Sequence, residues 1–359
     1  MHILENPRYL EMLRRLHCTF PHWDKLEGKT LFISGASGML GSCLVDTVLL
    51  RNNGLPSESR CRVTALGRSC SRLESRFAPW VGTPELTLLA HDIMNPLPAL
   101  SWEPDFLIHA ASTTHPVAYA TEPVNTITAN VLGTQNLLEL ATQKQESRFL
   151  LLSSVEIYGQ NRGDTDYFCE DYCGYINCNT LRAGYPEAKR VSEALCQAYI
   201  AQKRVDAVTI RLPRCYGPTM RMEDSKASSQ FIKNALHREN IVLKSRGEQL
   251  YSYAHTADAV EGILWALLRG ETGEAYNLAD RSSDITLRNL AELAADHAGT
   301  KVIFDLPSET EKRGYSTASK ALLDGTKLQK LGWSPHYNIV AGIRETIDIL
   351  QEMEGAEQA

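Results

Sequence analysis

The sequence predicts an α/β protein whose core is a doubly wound parallel sheet, accompanied by a smaller, mostly helical C-terminal lobe. Short apolar segments alternate with longer amphipathic ones along much of the chain, which is typical of β-α-β units. The strand-like segments are almost continuously apolar, as expected of strands covered on both faces. A glycine-rich turn follows the first of them. These three features favour a layered α/β architecture.

The predicted elements follow one another at short intervals. The strand candidates, in chain order, are "KTLFISG", "RVTALG", "LTLLAHD", "DFLIHAAS", "RFLLLSSVEIYG" and "DAVTIRLP". The long helix candidates between them begin "MLGSCLVDTVLL", "TANVLGTQNLLEL" and "YPEAKRVSEALCQ". After "CYGPTM" the rhythm loosens into helices joined by short strands such as "AYNLAD". We therefore expect a second lobe over the carboxyl ends of the strands.

The composition disfavours several classes of protein. The 359 residues carry a net charge of −6, which argues against a broad attraction to nucleic acid or to an anionic membrane. No apolar run approaches the ~20 residues of a membrane-spanning helix. The N-terminal segment also lacks the apolar core of a signal peptide. We expect a cytoplasmic protein with no nucleic-acid or membrane partner.

The cysteines indicate free thiols. Nine cysteines in a chain of this size and composition do not suggest a disulfide framework. Cys169, Cys173 and Cys178 cluster in "FCEDYCGYINCNT", but their spacing matches neither a zinc ribbon nor a zinc finger, and no histidine lies among them. Loop or pocket-wall thiols are the better interpretation, and no metal site is expected.

The turn after the first strand, "ISGASGMLGS", has the spacing of a dinucleotide-binding loop. Gly35 permits the tight turn, Gly38 lets the backbone approach a pyrophosphate, and Gly41 lets the helix pack close to the sheet. The triplet follows a strand and opens a helix, which is the context that the motif requires. The expected cofactor contacts in this loop are Gly35, Ser37, Gly38, Met39, Leu40 and Gly41.

The second strand bears on the choice of cofactor. An acidic residue at its end would favour NAD by binding the adenosine ribose. The strand ends instead in "ALGRS", with Arg68 at that place. We expect NAD, with Arg68 stacking on the adenine, but arginine also accepts a 2′-phosphate and leaves NADP as an alternative.

These features predict how the chain is divided. Residues 1–27 form an N-terminal helical extension. Residues 28–215 form a Rossmann-like dinucleotide-binding domain, to which residues 251–280 return. Residues 216–250 and 281–359 form the second lobe, which is expected to bind the substrate.

A tyrosine and a lysine share one face of a predicted helix. Tyr185 and Lys189 in "LRAGYPEAKR" are four residues apart and can point into the same cleft. A phenol with a pKa of about 10 is a poor base near neutrality, and a nearby ammonium lowers that pKa. Taken alone, this spacing is common by chance, and a solvated helix face is the better interpretation of the pair. Upstream, however, a central strand ends in Ser153 and Ser154, where a hydroxyl is able to polarise a substrate oxygen.

Glycine loop, strand-end serine and Tyr-Lys helix occur here in the order and spacing of the extended short-chain dehydrogenase/reductase family. The chain resembles its nucleotide-sugar epimerase, dehydratase and decarboxylase branch over roughly residues 28 to 350. "YGP" and "LGW" fit the same pattern. The resemblance implies further cofactor contacts at Asp92, Ile93, Ala110, Ala111, Ser112 and Asn130.

The resemblance also implies catalytic roles. Ser154 matches the catalytic serine or threonine, and Tyr185 matches the base that takes a proton from the sugar 4-hydroxyl while hydride passes to the nicotinamide. Lys189 matches the residue that lowers the tyrosine pKa and grips the nicotinamide ribose. The implied product of this step is a 4-keto sugar.

The two residues after Ser154 bear on the fate of the ketone. In the similar 4,6-dehydratases this pair is Asp-Glu, and in UDP-glucuronate decarboxylases it is Ser-Glu. This chain has Val155 and Glu156. Glu156 remains available as a base, or as a hydrogen-bond acceptor for a sugar hydroxyl. Val155 has no proton to donate, which weakens a standard dehydratase assignment.

Two departures from the family concern the substrate. Arg214 stands where an asparagine normally contacts the diphosphate, and Tyr251 stands where an arginine normally binds phosphate or carboxylate. Arg214 either replaces the missing positive charge, since guanidinium suits phosphate recognition, or forms a structural salt bridge. Thr113 and Tyr119, in the stretch that faces the sugar in the family, complete the expected substrate contacts.

The favoured interpretation is therefore an enzyme that oxidises C4 of a nucleotide sugar and then performs a lyase reaction, either decarboxylation of a UDP-glucuronate-like substrate or 4,6-dehydration. A nucleotide-sugar 4-epimerase is the main alternative. An NADPH-dependent keto-sugar reductase, a reductase of small carbonyl compounds and a non-catalytic dinucleotide sensor are lesser ones. The resemblance also implies a homodimer formed through the Asn130 helix and the Tyr185 helix.

Overall fold

The computed structural model describes residues 1–100, 102–112, 114, 119, 121–305 and 319–358. The α-helices are α1 Pro7–Thr19, α2 Met39–Asn52, α3 Cys70–Arg76, α4 Pro123–Ala141, α5 Gly184–Lys203, α6 Ala227–Leu236, α7 Thr256–Arg269, α8 Leu287–Ala298, α9 Thr326–Leu331 and α10 Ile339–Gln358. The strands are β1 Thr30–Ser34, β2 Arg62–Gly67, β3 Leu86–Ala90, β4 Phe106–His109, β5 Arg148–Ser154, β6 Asp206–Leu212, β7 Arg214–Tyr216, β8 Ile241–Leu243, β9 Leu250–His255, β10 Ala275–Asn277, β11 Asp284–Thr286, β12 Val302–Phe304 and β13 Lys320–Ala321.

The main sheet confirms the predicted fold class. Among the described residues it has seven strands in the order β10-β6-β5-β4-β1-β2-β3, and every neighbouring pair is parallel. The order reverses at β1, so the chain fills one half of the sheet and then the other. All the carboxyl ends lie along one edge, which is where ligands bind in open α/β sheets.

One predicted strand is shorter than expected. The segment "RFLLLSSVEIYG" is extended only as far as Ser154, and residues Val155–Tyr158 form a 3-10 turn. The reason is local, because the Ser154 hydroxyl accepts the Glu156 amide at 3.3 Å and caps the turn. The carboxylate of Glu156 is thereby placed directly after the end of β5.

The smaller sheets belong to a second hydrophobic cluster. β9 pairs with β7, β11 and β13, and β8 pairs with β12. α6, α8 and part of α10 pack around these strands. β9 thus lies outside the main sheet, whereas β10 joins its edge and α7 packs against its core. The predicted residue boundaries of the two domains remain a prediction.

The N-terminal helix packs on the core of the main sheet. Tyr9, Leu13 and Leu16 of α1 are buried in the same cluster as the side chains of β1 and α2. The Tyr9 hydroxyl donates to the buried Asp46 carboxylate at 2.7 Å, and Arg76 also binds that carboxylate. This network joins α1, α2 and α3.

Within the described ranges, no helix is long and apolar enough to cross a membrane.

The buried contact between Tyr9 and Asp46 predicts a measurable loss of stability. Tyr9→Phe removes the donor from a fully buried carboxylate and is expected to lower the free energy of unfolding by about 1.5–3 kcal/mol. Urea unfolding followed by circular dichroism measures this value. Tyr172→Phe is the matched control, because its hydroxyl bonds the exposed Asp164 carboxylate. Equal stability of the two variants would contradict the assignment.

Candidate active site

The glycine loop is packed too closely for side chains. Gly35 has a φ of +69°, and a Cβ on it would lie 2.6 Å from the backbone nitrogen of Ala111. A Cβ on Gly41 would lie 2.5 Å from the carbonyl oxygen of Gly35. Glycine is therefore required at both positions, at the first for conformation and contact and at the second for contact. The loop holds α2 directly against the ends of β1 and β4.

The N-terminus of α2 faces the edge of the sheet without a capping side chain. Gly38 is the N-cap residue, and it has no side chain to accept a hydrogen bond from the first turn. The amides of Met39, Leu40 and Gly41 belong to that turn, where N–H groups have no intrahelical acceptor. With the positive end of the helix dipole, these amides form a site suited to a pyrophosphate.

The other predicted cofactor residues also lie at carboxyl ends of strands. Arg68 follows β2 and is exposed, Asp92 and Ile93 follow β3, and residues 110–112 follow β4. Ile93 is buried, and its carbonyl accepts the side-chain amide of Asn136 on α4. The structure thus brings these positions to the same edge as the glycine loop.

Asn130 is buried on α4 and links two helices. Its side-chain NH₂ group donates to the backbone carbonyl of Thr126 at 2.7 Å. The backbone carbonyl of Asn130 accepts a hydrogen bond from the Ser192 hydroxyl of α5 at 3.2 Å. The contact fixes the helix that carries Tyr185 and Lys189 against α4.

Tyr185 is buried at the start of α5. Burial raises the pKa of its phenol, and the Glu156 carboxylate raises it further. The nearby Ser154 hydroxyl and the Arg182 cation act in the opposite direction on the pKa. Ser154, Glu156 and Arg182 therefore form the electrostatic environment of the predicted base.

Lys189 is buried one turn further along α5. Its Nζ donates to the carbonyl of Leu152 in β5 at 2.7 Å. Burial lowers the pKa of this ammonium to about 8, while the negative charge of Glu193 opposes the shift. The predicted action of Lys189 on the pKa of Tyr185 stays a prediction.

Glu156 is held by an arginine that no sequence motif singles out. Arg182 Nη2 donates to Glu156 Oε1 at 2.6 Å. Burial opposes the charge of Arg182, but the hydrogen bond and charge of Glu156 raise its pKa. The available signal was position, because Arg182 precedes Tyr185 by three residues, in the 3-10 turn that leads into α5.

The aromatic rings near Tyr185 form a stack. Tyr119 lies parallel to Tyr185, with ring centroids 5.0 Å apart and an interplanar angle of 22°. The guanidinium carbon of Arg182 also lies near Tyr119, 4.9 Å from the centroid of its ring. Tyr119 thus lies beside the predicted base, and its contact with a substrate stays a prediction. Thr113 and much of the stretch around Tyr119 lie outside the described residues.

The remaining predicted substrate residues meet between β7 and β9. The guanidinium carbon of Arg214 lies 3.4 Å from the centroid of the Tyr251 ring. Arg214 Nη1 is buried and has no hydrogen-bond partner within the described part of the chain. The thiol of the next residue, Cys215, lies close enough to Tyr185 to raise its pKa. Arg214 is therefore next to the Tyr185 region and free of a structural salt bridge among the described residues.

The cysteine cluster lies on the surface. Cys169, Cys173 and Cys178 are all exposed free thiols. No group of three histidine, cysteine or acidic side chains in the described ranges is arranged to hold a metal ion.

This geometry agrees with a known family. A sequence model of the NAD dependent epimerase/dehydratase family matches residues 31–279. The chain belongs to this family. Membership confirms the resemblance drawn from the motifs, and NAD is the family's cofactor. The chain fits that cofactor, since the crowded glycines and the uncapped helix leave backbone amides for a pyrophosphate.

Curated relatives of the chain within the family include UDP-glucuronic acid decarboxylases. UDP-glucuronic acid decarboxylase 6 of Arabidopsis thaliana is 29% identical over 326 residues, which cover 90% of this chain and 88% of that protein. UDP-glucuronic acid decarboxylase 1 of Xenopus tropicalis is 28% identical over 322 residues, which cover 89% of this chain and 71% of that protein.

Solved structures of other family enzymes share the fold. A dTDP-glucose 4,6-dehydratase from Bacillus anthracis in complex with NAD superposes with a TM-score of 0.74 at 18% identity, covering 91% of this chain and 98% of that one. A UDP-glucuronic acid 4-epimerase from Bacillus cereus, in complex with UDP-glucuronic acid and NAD, gives 0.74 at 19% identity, covering 90% and 99%.

The crowding at Gly35 predicts the effect of one methyl group. Gly35→Ala places a Cβ against Ala111 in a left-handed conformation, and we expect it to weaken NAD binding by at least roughly tenfold, or about 1.4 kcal/mol. Isothermal titration with NAD measures the affinity, and thermal unfolding reports whether the variant is folded. Gly54→Ala is the control, since nothing lies within 4 Å of its Cβ position. A folded Gly35→Ala protein with unchanged affinity would show that the loop is not the cofactor site.

Proposed function

We propose that this protein oxidises C4 of a UDP-linked uronate with bound NAD and then releases the C6 carboxylate as carbon dioxide. The proposal is carried by the two residues after Ser154. Val155 is buried and apolar, and the carboxylate of Glu156 is paired with Arg182. The names of the curated relatives support the choice of substrate.

The first step needs a base at the sugar 4-hydroxyl. Tyr185 takes the hydroxyl proton, and Ser154 beside it donates a hydrogen bond to the sugar oxygen. Lys189 supplies a positive charge behind the base and holds the nicotinamide ribose. When bound, NAD accepts the hydride from C4 and later returns it.

Decarboxylation fits the second step better than dehydration. Oxidation at C4 makes the uronate a β-keto acid, so loss of carbon dioxide leaves an enolate whose oxygen is at C4. A proton from water then adds at C5, which restores the C4 ketone before the hydride returns. Ser154 and the protonated Tyr185 donate hydrogen bonds to that oxygen. Dehydration instead requires a general acid for the departing 6-hydroxyl, and the buried Val155 has no proton to give.

The anionic parts of the substrate require a cation near the sugar. The guanidinium carbon of Arg214 lies over the Tyr251 ring, and its buried Nη1 has no acceptor among the described residues. A buried N–H donor without an acceptor is costly, so an anionic ligand group is expected to complete it. Arg214 thus supplies the charge that the family usually places at position 251, for either the diphosphate or the sugar carboxylate.

A 4-epimerase is the second candidate. The buried, apolar Val155 is compatible with it, because epimerisation needs no general acid directly after Ser154. The chemistry would then stop at the ketone, and hydride would return to its other face.

Product analysis distinguishes these reactions. We expect the purified protein to convert UDP-glucuronate into a UDP-pentose with loss of carbon dioxide, detected by mass spectrometry. Unchanged mass with altered chromatography would indicate epimerisation, and loss of water from dTDP-glucose would indicate a dehydratase. Tyr185→Phe is expected to lower turnover by roughly 100-fold or more because the base is removed. The control is Tyr175→Phe, whose ring is exposed. Full activity of Tyr185→Phe would refute the mechanism.

The protein is also proposed to be a cytoplasmic homodimer. α4 and α5 pack side by side and expose apolar side chains. Val124, Ile127 and Leu132 lie on α4, and Val191 lies on α5. Exposed apolar groups on two adjacent helices are a reasonable dimer surface.

The dimer surface predicts the effect of added charge. Val124→Glu combined with Val191→Glu is expected to convert a dimer into a monomer, because charges would be buried without partners at the interface. Size-exclusion chromatography with light scattering measures the mass. Val242→Glu, on the exposed side of β8, is the matched control and should remain dimeric. A monomeric wild-type protein would contradict the proposed homodimer.

A further inference from the structure

A polar network lies beside the predicted catalytic residues, on the β6 side of β5. Its centre is an ion pair between Glu193 of α5 and Arg211 of β6. Arg211 Nε donates to Glu193 Oε1 at 3.1 Å, and its Nη2 donates to Oε2 at 2.7 Å. This two-pronged geometry fixes the guanidinium plane against the carboxylate. Both side chains are largely buried, with 10% and 16% of their surfaces exposed.

The pair contacts the end of β5. Ser153, directly before Ser154, donates its hydroxyl hydrogen bond to Glu193 Oε1 at 2.5 Å. In the sheet, Ser153 also lies opposite Arg211 in register. One carboxylate therefore joins α5 to two neighbouring strands at the residue before the predicted catalytic serine.

The pair also contacts the turn that carries Glu156. Arg211 Nη1 donates to the hydroxyl of Tyr158 at 2.8 Å, and that hydroxyl donates to Asn277 of β10 at 2.6 Å. Arg190 of α5 reaches the same turn by donating to the Ile157 carbonyl at 2.7 Å. The far end of the turn is thus tied to α5 and to the sheet.

Glu193 also acts on Lys189, which lies one turn earlier on the same helix. Its negative charge opposes the effect of burial on the lysine pKa. The other titratable groups shown to interact with Lys189 are Cys196 on α5 and His109 at the end of β4. The His109 ring is neutral near pH 7, because burial and then Lys189 lower its pKa to about 3. Glu193 is therefore the anion that favours the charged form of Lys189.

We propose that Glu193 and Arg211 are a positioning pair, which fixes Ser154, Glu156 and Lys189 relative to one another. The three predicted catalytic groups come from three separate segments: a strand end, a turn and a helix. The pair joins all three segments through side-chain hydrogen bonds. Neither residue of the pair is assigned a contact with substrate or cofactor. The inference rests on the proposed function for the reaction that is measured. The hydrogen-bond network is observed independently of that function.

The test compares Glu193→Gln and Tyr158→Phe with the wild-type protein. Glu193→Gln keeps the shape but loses the charge, and kcat is expected to fall roughly 10- to 100-fold because the catalytic groups are misplaced. KM should change by less than about threefold, since substrate contacts remain. The high-pH limit of kcat should move to lower pH, because Lys189 loses its proton more readily without the nearby anion.

Tyr158→Phe removes only the hydroxyl that joins Arg211 to the turn. We expect kcat to fall roughly 3- to 10-fold, with an unchanged high-pH limit, because no charge near Lys189 is lost. Glu292→Gln, an exposed residue of α8, is the matched control and should leave both parameters unchanged. Circular dichroism and thermal unfolding establish which variants are folded.

The outcomes separate the two proposals. A folded Glu193→Gln protein with the wild-type kcat and pH profile would overturn the positioning role. If Glu193→Gln does not fold, Tyr158→Phe decides, and wild-type kcat in that variant overturns the role. If the wild-type protein converts no nucleotide sugar, the proposed function fails, and NAD affinity becomes the measurement. Glu193→Gln is then expected to weaken NAD binding severalfold through Lys189, and equal affinity overturns the positioning role.

Discussion

The parallel register of β1, β4 and β5 is the constraint on which the site depends. Ser34 of β1 lies opposite His109 of β4, which lies opposite Leu151 of β5. The Ser34 hydroxyl also bonds His109 Nδ1 at 2.8 Å. β1 and β4 end at this level and β5 continues three residues further to Ser154, so the loop at Gly35 and the hydroxyl of Ser154 reach the same edge of the sheet. A shift of one residue in this pairing would turn every side chain of a strand to the other face.

Several parts of this arrangement could be predicted from the sequence, because their geometry depends on residues that are close together in the chain. The glycine loop, the strand end at Ser154 and the helical pair Tyr185 and Lys189 each depend on spacing within one or two elements. The apolar strands and the β-α-β rhythm likewise specified the parallel sheet. What these features share is that no distant partner has to be known.

The contacts that set the electrostatic environment of the site could not be predicted from the sequence, because the two residues of each contact are distant in sequence. Arg182 meets Glu156 only because α5 packs beside the turn after β5. Arg211 and Glu193 lie on neighbouring elements whose alignment follows from the whole sheet. The same holds for Arg214 and Tyr251, where the sequence showed that a usual cation was missing but left open whether Arg214 replaced it. Strand pairing of β7 with β9 brings the two side chains together.

Arg182 explains how the carboxylate of Glu156 is tolerated beside the predicted base, Tyr185. Glu156 alone would disfavour ionisation of Tyr185, because two negative charges repel in a buried site. The cation of Arg182 lies against Glu156 and opposes that effect on Tyr185. Arg182 thus offsets part of the negative charge that Glu156 brings to the site. A uronate substrate brings a further carboxylate, and its approach is easier when the protein's own negative charge is already paired. The ion pair therefore fits an acidic sugar better than a neutral one.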